Sequence, residues 1–192
     1  TIDEPTYKNV IMYTRSHKEY PNNQSNDAIR VALLDTLVSN YDKKNGESLY
    51  LDGELYIHNK SLQEINSEVR GQDQDDGTNV KMQYWVYDHF YPHYDIESES
   101  KDSKNSKPYE KRKEILDDMY EDISEESKKL IILVETTLIE SEEDCDDIYT
   151  EYLDDNYEGI MIRSLDGIYL KSSTKKSEQL RSTDLLKRKE TY

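Results

Sequence analysis

The sequence predicts an α+β fold with largely antiparallel sheets, and three observations lead there. Runs of strand length, such as Met82 to Phe90 and Leu130 to Val134, are interleaved with capped amphipathic stretches. The two kinds follow one another without the regular strand–helix–strand alternation of a doubly wound parallel sheet. The 192 residues suffice for one domain with a substantial core, or for a two-lobed domain built around a cleft. A single domain over residues 1–192 is expected.

Val10 to Tyr13 reads as a strand leading into Thr14-Arg15. Asn26 or Asp27 then caps a helix with Ile29, Leu33, Leu34, Leu37 and Val38 on one face, and Asn45-Gly46 is a turn. Leu49 to His58 is a strand carrying Asp52-Gly53-Glu54. Ser61 with Glu64 makes a capping box for a short helix holding Leu62, Ile65 and Val69. Gly71 to Asn79 is a polar loop, Met82 to Phe90 a strand rich in aromatics, and Glu97 to Lys107 an exposed loop. Pro108 opens a helix reaching about Asp122, with Tyr109, Ile115, Leu116 and Met119 inward. Leu130 to Val134 is a strand, and Ser141 caps a helix bearing Cys145, Ile148, Tyr152 and Leu153. Strands Gly159 to Arg163 and Ile168 to Leu170 flank the turn Asp166-Gly167, and Lys187 to Lys189 lies on a last strand.

Hydrophobic residues make up only 34% of the chain, but 17 tyrosines supply large bodies that pack while their hydroxyls find partners. No apolar run approaches the roughly 20 residues that span a bilayer, and no secretion signal opens the sequence. An intracellular protein without a membrane partner is expected. The single Cys145 excludes an internal disulfide or thiolate cluster and reads as an apolar helix-face residue. A net charge of −17 argues at first against phosphate-rich partners. Its distribution changes that reading. Between Asp95 and Asp155 there are 22 Asp/Glu against 8 Lys/Arg, whereas Lys171 to Lys189 is basic. An acidic solvated middle and a basic phosphate-facing tail are compatible in one chain.

Glu54 follows Asp-Gly on a strand, where glycine admits a ligand to the backbone and a rigid element aims the carboxylate at a ribose hydroxyl or metal-bound water. Glu158-Gly159 repeats that arrangement at the mouth of the run Ile160 to Arg163. Two such carboxylates can hold hydrated Mg²⁺ against a triphosphate. Lys187 and Lys189, two apart, share a strand face and can meet one phosphate. Each run taken alone also reads blandly, as a turn or as a solvated basic face.

Taken in order, the runs resemble the nucleotidyltransferase motifs of ATP-dependent DNA ligases of viral and phage type. Leu51 to Arg70 is similar to that family's third motif and its helix, and Tyr84-Trp85-Val86-Tyr87-Asp88 to its aromatic motif. Tyr157 to Arg163 resembles the fourth motif, and Leu185-Leu186-Lys187-Arg188-Lys189 the closing one. Met12 to Pro21 resembles the segment in which an arginine after Ser or Thr meets the 5′-phosphate at a nick. The resemblance covers about Met12 to Lys189. It implies two largely antiparallel sheets flanked by helices with a nucleotide cleft between them, the nucleotidyltransferase fold shared with capping enzymes and similar to ATP-grasp proteins. It implies ATP and Mg²⁺ (or Mn²⁺) as cofactors and nicked duplex DNA as partner, in strand joining during repair, replication or recombination, with the chain acting as a monomer. By residue it implies Glu54 at the ribose or assisting the nucleophile, Tyr87 on adenine, Glu158 on the metal, and Lys187 with Lys189 on the α-phosphate. Arg15, Arg181 and Arg163 are implied for DNA, with a structural role equally open for Arg163.

The departure lies at Thr1-Ile2-Asp3-Glu4-Pro5. The family's Lys-x-Asp-Gly-x-Arg would fall there, with its nucleophilic lysine at or just before Thr1. The glycine is replaced by Glu4 and the arginine near Thr6 is absent. Lys8 lacks an Asp-Gly behind it and reads as a surface residue. Self-adenylylation by this chain is expected to fail, and no OB-fold domain is expected in it. The chain is then a fragment or altered copy of an active ligase, or a non-catalytic ATP- or nick-binding module. An RNA ligase or mRNA capping guanylyltransferase is the further alternative. His89 and His93 are four apart but broken by Pro92, which disfavours zinc, while His17 and His58 read as surface or hydrogen-bonded residues.

Overall fold

Among the described residues, five strands in two sheets are joined by four α-helices. The computed structural model describes residues 6–40, 50–71, 82–90, 107–169 and 183–190, with residues 36–40 described by backbone only. In order these are α1 (Gln24–Asn40), β1 (Tyr50–Tyr56), α2 (Leu62–Val69), β2 (Gln83–Phe90), α3 (Tyr109–Glu121), β3 (Ile131–Leu133), α4 (Glu142–Asp154), β4 (Gly159–Arg163) and β5 (Leu185–Lys189). One sheet has the order β1-β2-β3, the other is the pair β4-β5. β1–β2 and β4–β5 are antiparallel and β2–β3 is parallel, so the sheets are largely antiparallel as expected.

The chain divides into two compact units, Thr1–His93 with Ile115–Val134, and Tyr94–Glu114 with Glu135–Tyr192. The first holds the main apolar core. Ile29, Ala32 and Leu33 of α1, Leu55 of β1, Ile65 and Val69 of α2, Val86 of β2, Leu116 of α3 and Ile131 of β3 are buried together. Each fully buried aliphatic chain of this size contributes roughly 1.5–3 kcal/mol, so this cluster dominates the stability of the first unit. The division falls within α3, whose buried Tyr109 and Arg112 belong to the second unit and whose Leu116 and Met119 belong to the first.

Several expectations are corrected in detail. Val10 to Tyr13 alternates as a strand should, with Val10 and Met12 buried and Ile11 and Tyr13 exposed. Among the described residues it nevertheless pairs only through an isolated bridge, Tyr13 with Glu19, and so is an extended segment after a 3-10 turn at Tyr7–Asn9. The helix cap is Asn23, not Asn26 or Asp27: the Asn23 side-chain oxygen accepts the Asn26 backbone N–H at 2.9 Å. Asn26 instead lies fully buried, and its amide donates to the carbonyls of Pro21 (2.8 Å) and Val69 (2.9 Å). A polar residue at the inward position thus ties α1 to the end of α2. The Ser61–Glu64 capping box forms as read, but Leu62 is 70% exposed because it opens the helix on its outer side. Ile168 and Tyr169 form no strand among the described residues. The turn at Asn45-Gly46, the loop Gly71 to Asn79 beyond Gly71, the loop Glu97 to Lys107 before Lys107, and Leu170 lie outside the described residues.

Replacing Asn26 by Ala removes both donors at a site closed to water. Asn26→Ala is expected to lower unfolding free energy by about 2 kcal/mol, read as a shifted urea midpoint at unchanged slope. An unchanged midpoint would show that this amide does not hold α1 to α2.

Candidate functional site

The first unit presents its chemistry on the β1–β2 ladder. Pairing runs Tyr56 to Gln83, Leu55 to Tyr84, Glu54 to Trp85 and Gly53 to Val86, then shifts so that Asp52 faces Asp88. Tyr87 is therefore the extra residue of a β-bulge, a device that re-aims a side chain. Its hydroxyl donates to Asp52 Oδ1 at 3.3 Å. Gly53 is required here: a Cβ would meet the Trp85 carbonyl oxygen and, at 2.8 Å, the Tyr84 ring. That ring crosses Gly53 so that the Tyr84 hydroxyl donates to the Leu51 carbonyl at 2.9 Å. Burial, and then the charge of Asp52, hold the Tyr84 hydroxyl far above the tyrosine range. Burial and then Glu54 raise Tyr20 in the same way, which puts an exposed carboxylate beside a half-buried phenol. Glu54, Asp52 and Tyr87 are thus brought to one stretch of ladder. Tyr20 and Tyr84 join them unannounced by the sequence, since a tyrosine in either run reads only as a packing residue.

The second unit presents Glu158 between two lysines. β4 and β5 pair in register, Gly159 opposite Lys189 and Met161 opposite Lys187. Lys187 Nζ lies 3.0 Å from Glu158 Oε2 and Lys189 Nζ 3.0 Å from Oε1. One carboxylate therefore takes one cation on each oxygen. Gly159, at φ +146°, permits the close approach, because a Cβ there would strike the Arg188 carbonyl oxygen. All three side chains are half-exposed or more, so each ion pair contributes no more than about 1 kcal/mol. Arg188 points the other way: Nη1 is 2.5 Å from Asp146 Oδ1 and 3.7 Å from Cys145 Sγ, and the guanidinium lies 4.3 Å from the Tyr149 ring centre.

Arg163 stacks 4.4 Å over the Tyr109 ring. Arg112 is almost fully buried, donates to the carbonyls of Lys107 (2.6 Å) and Gly167 (3.0 Å), and lies beside the rings of Tyr109 and Tyr169. The sequence reading missed it, although Tyr109, Arg112, Leu116 and Met119 follow the helical period that would have placed it inward. Arg15 is exposed in a tight turn closed by Thr14 N–H to the Lys18 carbonyl, at 2.8 Å. Lys8 is exposed in the first 3-10 turn, and Tyr56 hydrogen-bonds His58 Nδ1 at 3.0 Å. Cys145 is buried on α4, as read. Thr1, Arg181 and His93 lie outside the described residues.

Among the described residues no group of three His, Cys, Asp or Glu could hold a metal ion. Mg²⁺ commonly takes only one or two protein carboxylates and completes its shell with phosphates and water. Exposed, ionised Glu158 fits that limited role. Among the described residues no helix is long and apolar enough to cross a membrane.

A family model, the ATP dependent DNA ligase domain, matches residues 2–189. The chain belongs to this family. Curated relatives include the DNA ligases of African swine fever virus, 26% identical over 121 residues in a Malawi tick isolate and 27% in a Kenya pig isolate. In each the match covers 63% of this chain and 25% of the relative, so this ligase domain sequence matches about a quarter of their length. Among solved structures, one described as Pmar-Lig_Pre superposes with a TM-score of 0.64 at 19% identity, over 94% of this chain and 37% of that one. Another, from a structure–function study of Lig E DNA ligases binding DNA with a minimal scaffold, gives 0.57 at 15%, over 93% and 54%. The expected ligase-type nucleotidyltransferase fold is borne out.

The fork that Lys187 and Lys189 make on Glu158 is expected to loosen in acid. Hydrogen bonds from Lys189 and then Lys187 hold the Glu158 carboxyl below the ordinary glutamate range. A depressed carboxyl contributes stability above its unfolded value and loses it as pH falls through the folded one. Side-chain NMR signals of Lys187 and Lys189 are therefore expected to move only at a pH below the ordinary glutamate range, and Glu158→Gln to abolish the step. A step at higher pH would show that the fork does not form.

Proposed function

We propose that this chain is the adenylation domain of an ATP-dependent DNA ligase, binding ATP and acting on nicked duplex DNA. The observation that supports this most is Glu158 between Lys187 and Lys189. Two ammonium groups aimed from one strand face, with a carboxylate between them, suit a phosphate beside a hydrated cation. On binding, the lysines exchange the carboxylate for phosphate oxygens and neutralise charge as it develops there. Glu158 is then available as one oxygen ligand of Mg²⁺ or Mn²⁺, which would screen the phosphates. Glu54 accepts a ribose hydroxyl, and the Tyr87 ring, re-aimed by the bulge, stacks on adenine. Arg15, Arg163 and Arg181 meet DNA phosphates, Arg163 from its seat on Tyr109. The protein acts as a monomer where nicked DNA occurs, in the cytoplasm or nucleus, during repair or replication.

Formation of lysyl-AMP requires an amine attacking the α-phosphate, with pyrophosphate leaving. No Lys-x-Asp-Gly occurs in these 192 residues, and Glu4 replaces the glycine of the matching segment. That substitution favours a second reading, a non-catalytic ATP- or nick-binding module. Incubation with α-labelled ATP separates the two. An acid-labile adduct on this chain would overturn the module reading, and ATP binding without a covalent label, the outcome expected of these 192 residues, would count against catalysis by this chain alone. Tyr87→Ala is expected to weaken ATP binding about three- to tenfold, measured by calorimetry, and unchanged affinity would refute the adenine assignment.

A further inference from the structure

Lys187-Arg188-Lys189 is a run of three cations, and hydrophobic patterning cannot tell such a run which face to present. A slip of one residue would turn Arg188 toward Glu158 and both lysines away, because side chains alternate along a strand. Among the described residues β5 is paired with β4 alone, and a two-stranded ribbon is marginally stable by itself. What distinguishes the middle cation is its chemistry. Arg188 carries a planar guanidinium that stacks 4.3 Å over Tyr149 while meeting Asp146 Oδ1 at 2.5 Å, both on α4. An ammonium is a compact, strongly hydrated charge and reproduces the ion pair but not the planar stack. On the opposite face Lys187 and Lys189 reach the two oxygens of Glu158.

We infer that Arg188 is a positioning residue: docked on Tyr149 and Asp146 of α4, it sets the register of β5 and so aims Lys187 and Lys189 at the phosphate they bind. The identity of that phosphate rests on the nucleotide reading above; the register does not. The acidic helix α4 thereby acquires a role beyond solvation. It selects which cations of a basic strand are left facing the ligand.

Two measurements on the full chain test this. The first needs no ligand: cross-strand NMR contacts of Met161 with Lys187 and of Gly159 with Lys189 report the register directly. The second compares affinities for AMP and adenosine, which differ only in the phosphate. In Arg188→Ala the register contacts are expected to weaken or shift by one residue. AMP affinity should fall about tenfold, with adenosine within about twofold. Arg188→Lys should recover only part of the AMP affinity, and the pair Asp146→Asn with Tyr149→Ala should reproduce the loss from the α4 side. Retained register contacts in Arg188→Ala, or full recovery by Arg188→Lys, would overturn the inference. Wild-type protein showing no preference for AMP over adenosine would sink the nucleotide reading instead, while the NMR contacts still decide the register.

Discussion

Antiparallel pairing of β4 with β5 fixes where Lys187 and Lys189 point, and the charge arrangement of the second unit depends on that ladder. Gly159 opposite Lys189 and Met161 opposite Lys187 bring both ammonium groups to Glu158 at 3.0 Å. The first unit obeys the same period of two, with one deliberate fault. The shift between Asp52 and Gly53 makes Tyr87 the extra residue of a bulge, and its hydroxyl meets Asp52. One ladder thus aims charge by strict alternation, and the other aims a ring by interrupting it.

The acidity of the chain looks different once charges are located. Much of the surplus sits on α4, whose first turn holds Glu142, Glu143 and Asp144 after the Ser141 cap. Negative charge there favours the helix N-terminus through its dipole. Other carboxylates are spent in short-range pairs with lysines three or four residues away, as in Lys60–Glu64 and Lys111–Glu114. Such pairs add a few tenths of a kcal/mol each and mainly keep a polar surface soluble. The cations at the end of the chain stand apart, because Glu158 and Asp146 divide them between two faces of one strand.

Much of the fold was legible because its signals are local. The Ser61–Glu64 and Ser141–Asp144 caps, Pro108 before α3, and the apolar runs of β2, β3 and β4 mark their own elements. Misreadings arose where a residue serves a distant partner. Asn26 has the composition of a cap, yet its amide is needed by Pro21 and Val69, and only packing of α1 against α2 brings Val69 there. Val10 to Tyr13 has the alternation of a strand, but among the described residues no neighbour continues the ladder beyond the Tyr13–Glu19 bridge.

The sequence by itself determined which chemical groups are present and, through strand and helix periods, which of them share a face. Lys187 and Lys189 could be paired for that reason, since alternation needs no knowledge of the partner strand, while Glu54 and Glu158 were named by the glycine beside each of them. Tertiary structure alone decided what those faces meet. That Arg188 stacks on Tyr149 while its two neighbours take Glu158, or that Tyr84 lies across Gly53, depends on contacts between segments far apart in the chain. Such contacts follow from packing and register, quantities that no local window of residues contains.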